Sequence, residues 1–428
     1  MIAVLSKRSF LCIALIVIVN GFSNTRVVAQ GSPYSFLGFG DVTSATNSRL
    51  QALSGTGVAM ADGFIINELN PAALTYLSKT QFDICLRYSY DQMTLGPDQG
   101  SNYRFKIGGL SAGTLVSSAA HLGVAIGFLP VTDAEAKTIR NDSLGGTIYQ
   151  REGGLSEFYL GAAVRPTSAL ALGGRLDILF GNVRTIAQAN ITGDDVQSGI
   201  FQREYSESGL RGTFGFMLSL DSLFSELRGL TIGASFSTAS SLTSTQRTVV
   251  TPINATLDST IENSGYGYYP SEIKIGLAGR FGDRFRIEAN LSAQDFSNAH
   301  VFTLTKDAPA DPSLGPSNRY SFALERLAVP IEDSRGVSFW EKVGLRFGAS
   351  YMLLPYRPAV GVTVHQLGGS FGLGIPFPSG SAIDIAAELG IRTPSDQTIA
   401  PKDLYFKLGL TVTITERWFV PLRKTDDD

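Results

Sequence analysis

Residues 284–294 alternate without a fault. Phe285, Ile287, Ala289, Leu291 and Ala293 fall on one parity, with Arg286, Glu288, Asn290, Ser292 and Gln294 on the other. Period two over about ten residues describes a strand with one face in an apolar medium and the other in a polar one. The same pattern recurs at 81–90, where Phe82, Ile84, Leu86, Tyr88 and Tyr90 alternate with polar residues and Cys85. It recurs again at 404–415, where Leu404, Phe406, Leu408, Leu410, Val412 and Ile414 share a face. Strands of soluble sandwiches run nearer five or six residues, whereas about ten suit a tilted strand crossing a bilayer. This feature confines the chain to a closed barrel, because an open sheet edge has no hydrogen-bonding partner in lipid.

About fourteen such segments are expected, near 80–91, 102–116, 119–129, 154–165, 169–182, 205–220 and 229–246 in the first half. The remainder fall near 266–281, 284–295, 340–354, 358–366, 370–377, 381–392 and 403–416. Composition agrees: charged residues make up 17%, below the roughly 25% of soluble domains, with 46 Gly, 15 Tyr and 26 Phe. Ser117-Ser118, Pro166-Thr167, Gly282-Asp283, Tyr356-Arg357 and Ser379-Gly380 read as tight turns, and 221–228 as a slightly longer one. Long polar loops are expected near 130–153, 183–204, 247–265 and 296–339. Short turns on one side and long loops on the other suit an outer-membrane barrel with periplasmic turns. Trp418 and Phe419 end the barrel as its closing aromatic signal, followed by a charged tail at 420–428.

Residues 1–29 have the layout of a secretory signal peptide: Lys7 and Arg8, an apolar core at 10–19, and small residues before Gln30. Its loss removes three bases and no acids, which takes the formal charge of −3 further from zero. No basic stripe remains, so a nucleic-acid partner is not expected. Cys85 is then the one cysteine, and His121, His300 and His365 lie far apart, so neither a metal site nor a cofactor is expected.

Residues 30–79 are too short for a domain and too apolar for a solvated tail. Ser54, Gly55, Thr56 and Gly57 form a small-residue turn, Ala61-Asp62-Gly63 breaks an apolar run, and Asn70-Pro71-Ala72 follows. Pro71 pushes Asn70 out of the helical region and can start a helical turn. Taken alone, this also suits a helix pair on a soluble domain. About fourteen strands, however, would leave a hole, and the apolar Val58, Ile65, Ile66 and Leu69 have no other place to bury. The expectation is an all-β transmembrane barrel over 80–419 with 30–79 as a plug in its lumen. Glu157, Arg165, Arg175, Asp177, Lys274, Arg284, Arg286, Glu288, Arg346, Asp384 and Glu388 are expected to face that lumen. Paired charges there would hold the plug; an unpaired Arg or Lys could bind a carboxylate instead.

Arg49, Ser54, Gly55, Gly57, Ala61, Asp62, Asn70, Pro71 and Ala72 resemble the N-terminal hatch of the FadL/TodX family of outer-membrane transporters for hydrophobic compounds. Segments 372–376 and 405–419 resemble its Bacteroidetes-type branch. The resemblance implies a monomer in the outer membrane of a Gram-negative bacterium, in contact with outer-membrane lipids and inserted by the barrel-assembly machinery. It implies passive uptake of a small hydrophobic compound, a long-chain fatty acid or an aromatic hydrocarbon, with lateral exit at a kink in the third strand. That strand would hold Gly123 and Gly127. A similar Asn-Pro-Ala entry occurs in PorV-like barrels of type IX secretion, which leaves a secretion or surface-assembly role as the alternative. Two G-x-S-x-G strings, around Ser111 and Ser370, sit in strand-like segments without the strand-turn-helix context of a nucleophile elbow. An enzyme is not expected.

Overall fold

The computed structural model describes residues 29–416, apart from 97, 118, 143–144, 192–198, 221–228, 253–258, 283, 307–308, 310 and 330–335. The signal peptide, Trp418, Phe419 and the charged tail therefore lie outside the described residues.

The chain is a closed antiparallel barrel of fourteen strands. The first are β1 (Thr80–Leu95), β2 (Asp98–Ser117), β3 (Leu122–Pro130, resuming at Ala136–Asp142) and β4 (Gly145–Val164). Then come β5 (Leu170–Ile191), β6 (Gly199–Ser219) and β7 (Thr231–Ser237 and Ser240–Pro252). These are followed by β8 (Ser259–Tyr269 and Glu272–Phe281) and β9 (Phe285–Asp295 and His300–Thr303). The last are β10 (Pro316–Arg326), β11 (Gly344–Leu353), β12 (Val364–Pro376), β13 (Ala382–Pro394) and β14 (Lys402–Glu416). Each strand pairs with the next, and β14 closes on β1 from Lys402 against Thr94 to Glu416 against Thr80. Among the described residues no helix is long and apolar enough to cross a membrane.

The alternation sorts side chains as its period demands. In β10, Tyr320, Phe322 and Leu324 point outward and are exposed, while Arg319, Ser321, Ala323 and Glu325 point inward and are buried. The outward set runs around the barrel as an apolar band, and the inward set is polar, as in a membrane barrel.

Two expected strand positions need correction, and their errors cancel in the count. Pro316–Arg326 is a strand inside what reads as the loop 296–339; its alternation is cut short by the Pro- and Asp-rich approach at 307–316. Conversely, 358–366 and 370–377 are not two strands but parts of one, Val364–Pro376. Gly368 and Gly369 look like a break, yet Gly368 is an inward position. A side chain there would run into the Tyr405 hydroxyl. Tyr356 and Arg357 belong to the connection at 354–363, at the end opposite the short turns, because β11 and β12 are consecutive strands joined there. The expected loops at 130–153, 183–204 and 247–265 are mostly strand: β8, for example, starts at Ser259 with both faces exposed as far as Ser264. Beyond the apolar band both sides of a hairpin meet water, so nothing enforces alternation there.

Residues 32–79 lie inside the barrel. They contain a 3-10 turn at Pro33–Phe36, the short helix α1 at Ser48–Ala52 and a 3-10 turn at Pro71–Tyr76. We call the end with the short turns and Glu416 the near end, and the other the far end.

Candidate functional site

The N-terminal segment enters at the far end. Tyr34 and Phe39 join a buried apolar cluster with Phe296, Leu314, Leu354 and Tyr356. The hydroxyl of Tyr356 donates to the Gly40 carbonyl at 2.6 Å. Arg392 on β13 bridges Asp41 and Asp403 at 3.0 and 2.9 Å and also donates to Ser32. Irregular backbone buried this way must place its carbonyls somewhere. Arginines of the wall receive them: Arg151 takes Phe36 and Gly38, Arg87 takes Ala45, Arg319 takes Ser54 at 2.9 Å and Arg175 takes Glu68 at 3.3 Å.

Asn47 caps α1 by accepting from the Arg49 amide at 2.8 Å, which aims the Arg49 side chain at the wall. Arg49 pairs with Asp62 at 2.6 Å within the segment and with Glu325 of β10 at 3.0 Å. Arg286 of β9 reaches the same two carboxylates at 2.9 and 3.0 Å. Arg346 of β11 binds Glu325 at 2.8 Å and also Asp384 of β13. Arg286 also lies 3.8 Å from Glu288 of its own strand, so three guanidiniums face four carboxylates, all buried. Burial alone would push the Asp62 carboxyl up. Arg49 and Arg286 outweigh it and hold that carboxyl well below the usual carboxylate range. A second cluster sits on the wall, where Arg175 binds Glu157 at 2.9 Å and Asp177 at 2.6 Å. Arg211 reaches the same pair, with 3.2 Å to Asp177.

The small-residue turn follows α1. Ser54 adopts φ 51° and Gly55 φ 69°, and the Ser54 hydroxyl meets that of Ser370 on β12 at 2.7 Å. Thr56 donates to Ser321 of β10 at 3.0 Å, and Gly57 packs against Leu50 with no room for a side chain. Further along, Asn70 is extended, with φ −145°, and its Oδ1 accepts from the Ala72 amide at 3.0 Å. Its Nδ2 donates to the carbonyls of Val58 at 2.8 Å and Phe216 of β6 at 3.0 Å. One side chain therefore caps the Pro71 turn and fastens it both to the segment and to the wall. A side chain at Gly215 would overlap Asn70, and a Cβ at Gly173 would fall 2.5 Å from the Ala72 nitrogen. Ala61 packs beside the buried Ala72 and Met217.

The wall opens between β2 and β3. β2 pairs with β1, but with β3 only from Leu110 to Ser117; among the described residues, 98–109 have no ladder partner on that side, where Ala29–Gly31 lies alongside. Past Pro130 the regular ladder stops: Val131 and Ala134 still donate to Leu155 and Gly153 of β4, at 2.8 and 2.9 Å, while Thr132–Asp133 pairs inward with Asp41–Val42 of the N-terminal segment. The Thr43 amide also donates to Val131 at 2.9 Å. Gly153 and Gly154 of β4, with φ 101° and 140°, form the bulge that lets this detour pass; a side chain on Gly154 would meet the Thr132 carbonyl. At Ala136 the strand rejoins β4, and Ala29–Gly31 pairs along its other edge. A cavity of about 420 Å³ lies at the gap, lined by Arg87, Arg104, Lys106, Ile107, Phe128 and Asp133 among others. Arg104 pairs with Asp91 at 2.5 Å, and Lys106 with Asp133 at 2.9 Å and Glu135 at 2.7 Å, whereas Arg87 donates to the Ala45 carbonyl.

The break in β3 thus falls at 131–135, downstream of Gly123 and Gly127, both of which keep regular partners in Leu115 and Ser111. These glycines make room, Gly123 for the Leu74 carbonyl and Gly127 for the Tyr159 ring. Of the charges expected in the lumen, Arg165 and Arg284 sit at its near-end rim. Arg165 contacts His121 and lies over Tyr76, and Arg284 donates to the Glu341 carbonyl at 3.0 Å. Glu325 and Arg319 were missed because they lie on the unforeseen β10. Neither G-x-S-x-G serine has a histidine beside it: Ser111 accepts from Tyr159 at 3.2 Å, and Ser370 donates to Ala52 at 2.8 Å.

Comparison with known proteins now adds a family and a fold. A family model described as BamG matches residues 5–424. The fold is similar to that of a Pseudomonas aeruginosa FadL homologue, at 11% identity and a TM-score of 0.59, over 88% of this chain and 99% of that one. It is also similar to the Pseudomonas putida toluene transporter TodX, at 13% identity and a TM-score of 0.56, over 90% and 99%. The Ralstonia pickettii toluene transporter TbuX gives 13% and 0.56, over 86% and 98%. No curated protein sequence matches the chain.

Proposed function

The chain belongs to the BamG family; from its fold and the geometry of its wall we propose that it is an outer-membrane barrel for passive passage of small hydrophobic solutes. The N-terminal segment acts as the plug, and the gap between β2 and β3 is the exit into the bilayer. The observation that carries this reading is the end of β2–β3 pairing at Leu110 and Phe128, beside a cavity large enough for a small ligand and bordered by Ala29–Gly31. Toluene transport, named for two of the similar folds, supports an apolar cargo here. So does the plug, which denies water a continuous path.

The geometry suggests the gate. Val42 and Thr43 are tied to 131–133, so a shift of the plug's far-end strap moves the lip of the window with it. The near-end part of the plug, held by Arg49, Asp62 and Asn70, stays in place as the floor. Polar groups at the window and apolar lips such as Ile107 and Phe128 suit a solute with at most one polar head.

The test is to close the window covalently. In a Cys85→Ser background, Ile107→Cys and Thr132→Cys are bridged with a bifunctional thiol reagent, and uptake of toluene or a long-chain fatty acid into proteoliposomes is followed. Uptake should stop on bridging and resume when a cleavable bridge is cut. Unchanged uptake in the bridged protein would sink the lateral route.

A second reading, a barrel component of a secretion or surface-assembly complex, is favoured by one observation. Both ends of the lumen are filled by side chains in specific contacts, at the far end by the Tyr34 and Phe39 cluster and at the near end by the Arg49 network. A stable complex with other envelope proteins in mild detergent, together with no solute uptake, would select it.

A further inference from the structure

The connection from β10 to β11 holds two large rings in the open. Phe339–Glu341 forms a 3-10 turn in which both the amide and hydroxyl of Ser338 donate to Glu341, at 3.2 and 3.1 Å. The Glu341 carbonyl accepts from Val329 at 2.9 Å and from Arg284 at 3.0 Å. Arg326 donates to the carbonyls of Trp340 and of Val343, the latter at 3.1 Å. The backbone of this turn is therefore tied down on several sides. Its two rings nevertheless remain 61% exposed each and pack edge to face, with centroids 5.6 Å apart.

The position of the turn narrows what these rings can meet. Arg326 follows Phe322 and Leu324 on the outward parity of β10, so its grip draws the turn onto the outer side of the barrel. The neighbouring outward residues at the same rim are Phe281 and Phe285, both exposed and flanking the turn between β8 and β9. The rings thus continue the apolar band at its near-end margin. Arg284, Arg326 and Lys342 stand beside them, with Glu341 bonded back into its own turn. Aromatic rings next to basic side chains at the edge of an apolar band suit the headgroup layer, where rings sit between acyl chains and water and cations meet anionic phosphates.

We propose that Phe339 and Trp340 form an interfacial anchor seated among the phospholipid headgroups at the near end of the barrel. It fixes the depth of the barrel on the β8–β11 side, through contacts that the solute path does not use.

Trp340 and Trp418 are the two tryptophans of the chain, so Trp418→Phe leaves Trp340 as the single reporter. The variant is reconstituted into phosphatidylcholine and phosphatidylglycerol vesicles whose chains are brominated either close to the headgroup or close to the chain end. The expected result is loss of most Trp340 emission with the shallow label and little loss with the deep one. No loss with either label, with full quenching by aqueous iodide, would overturn the proposal and leave a water-facing surface for a protein partner. Stronger quenching by the deep label would overturn it too, by placing the ring in the acyl core. Should Trp418→Phe fail to insert, the same comparison is read as the difference between the parent protein and Trp340→Phe.

Discussion

Arg49→Ala removes the one guanidinium through which α1 grips the wall. Its Nη2 binds Asp62 at 2.6 Å, and its Nε binds Glu325 at 3.1 Å. Without it, only Arg286 and Arg346 remain to face the buried Asp62, Glu325, Asp384 and Glu288, and Asp62 and Glu325 each lose a partner. Removing one partner of a buried ion pair costs about 3–5 kcal/mol. Each 1.4 kcal/mol is a factor of ten, so the population with a loosened plug should rise by about a hundredfold to a few thousandfold. The strand ladders of the barrel run without Arg49, although Glu325 on β10 loses a partner. The variant should keep the parent's heat-modifiable migration and strand-rich circular dichroism. Its conductance in planar bilayers should rise, and the segment at 32–79 should become open to protease. Adding Asp62→Ala should cost less than the sum of the two single changes, since the pair shares a network. If Arg49→Ala conducts like the parent and resists protease equally, the ion-pair network does not hold the plug.

Asn70→Ala should behave like a milder version of the same lesion. It removes the cap on Ala72 and the bond to Phe216, at about 1 kcal/mol for a cap of this kind, and should raise conductance modestly while the barrel folds unchanged. Deleting residues 30–77 should raise conductance far more and abolish selective uptake; a deletion variant that conducts no better than the parent would refute the plug. The acid response follows from Asp62. Burial opposes its charge, yet Arg49 and Arg286 keep its folded pKa below the unfolded value of about 3.9. The stability it contributes is therefore present above that value and lost as pH falls through the folded one. Conductance should stay flat from pH 7 to about 4 and increase only in stronger acid; opening near pH 6 would contradict the assignment.

Alternation made the barrel legible because lipid and lumen impose it residue by residue. It faded where that force fades, in the hairpins beyond the apolar band. It was also masked where a strand begins behind prolines, at Pro316, or carries inward glycines, at Gly368. Arg49, Asp62 and Asn70 stood out through the hatch resemblance, and local rules sufficed for the Asn70 cap. Their partners could not: Glu325 and Phe216 are brought to them by strand register alone. The end of β2–β3 pairing was harder still: it falls after Phe128, whereas Gly123 and Gly127 keep regular partners and make room for Leu74 and Tyr159.

The N-terminal segment touches opposite walls. Its helix α1 packs on β11–β14, whereas the Pro71–Tyr76 turn packs on β2–β6. Strands made early and strands made last therefore share one crossbeam, and Ser48 bonds Thr411 only a short way from where β14 meets β1. Such a beam braces the two halves of the wall against each other across the lumen, so a change at one of its contacts bears on the cross-section of the whole tube.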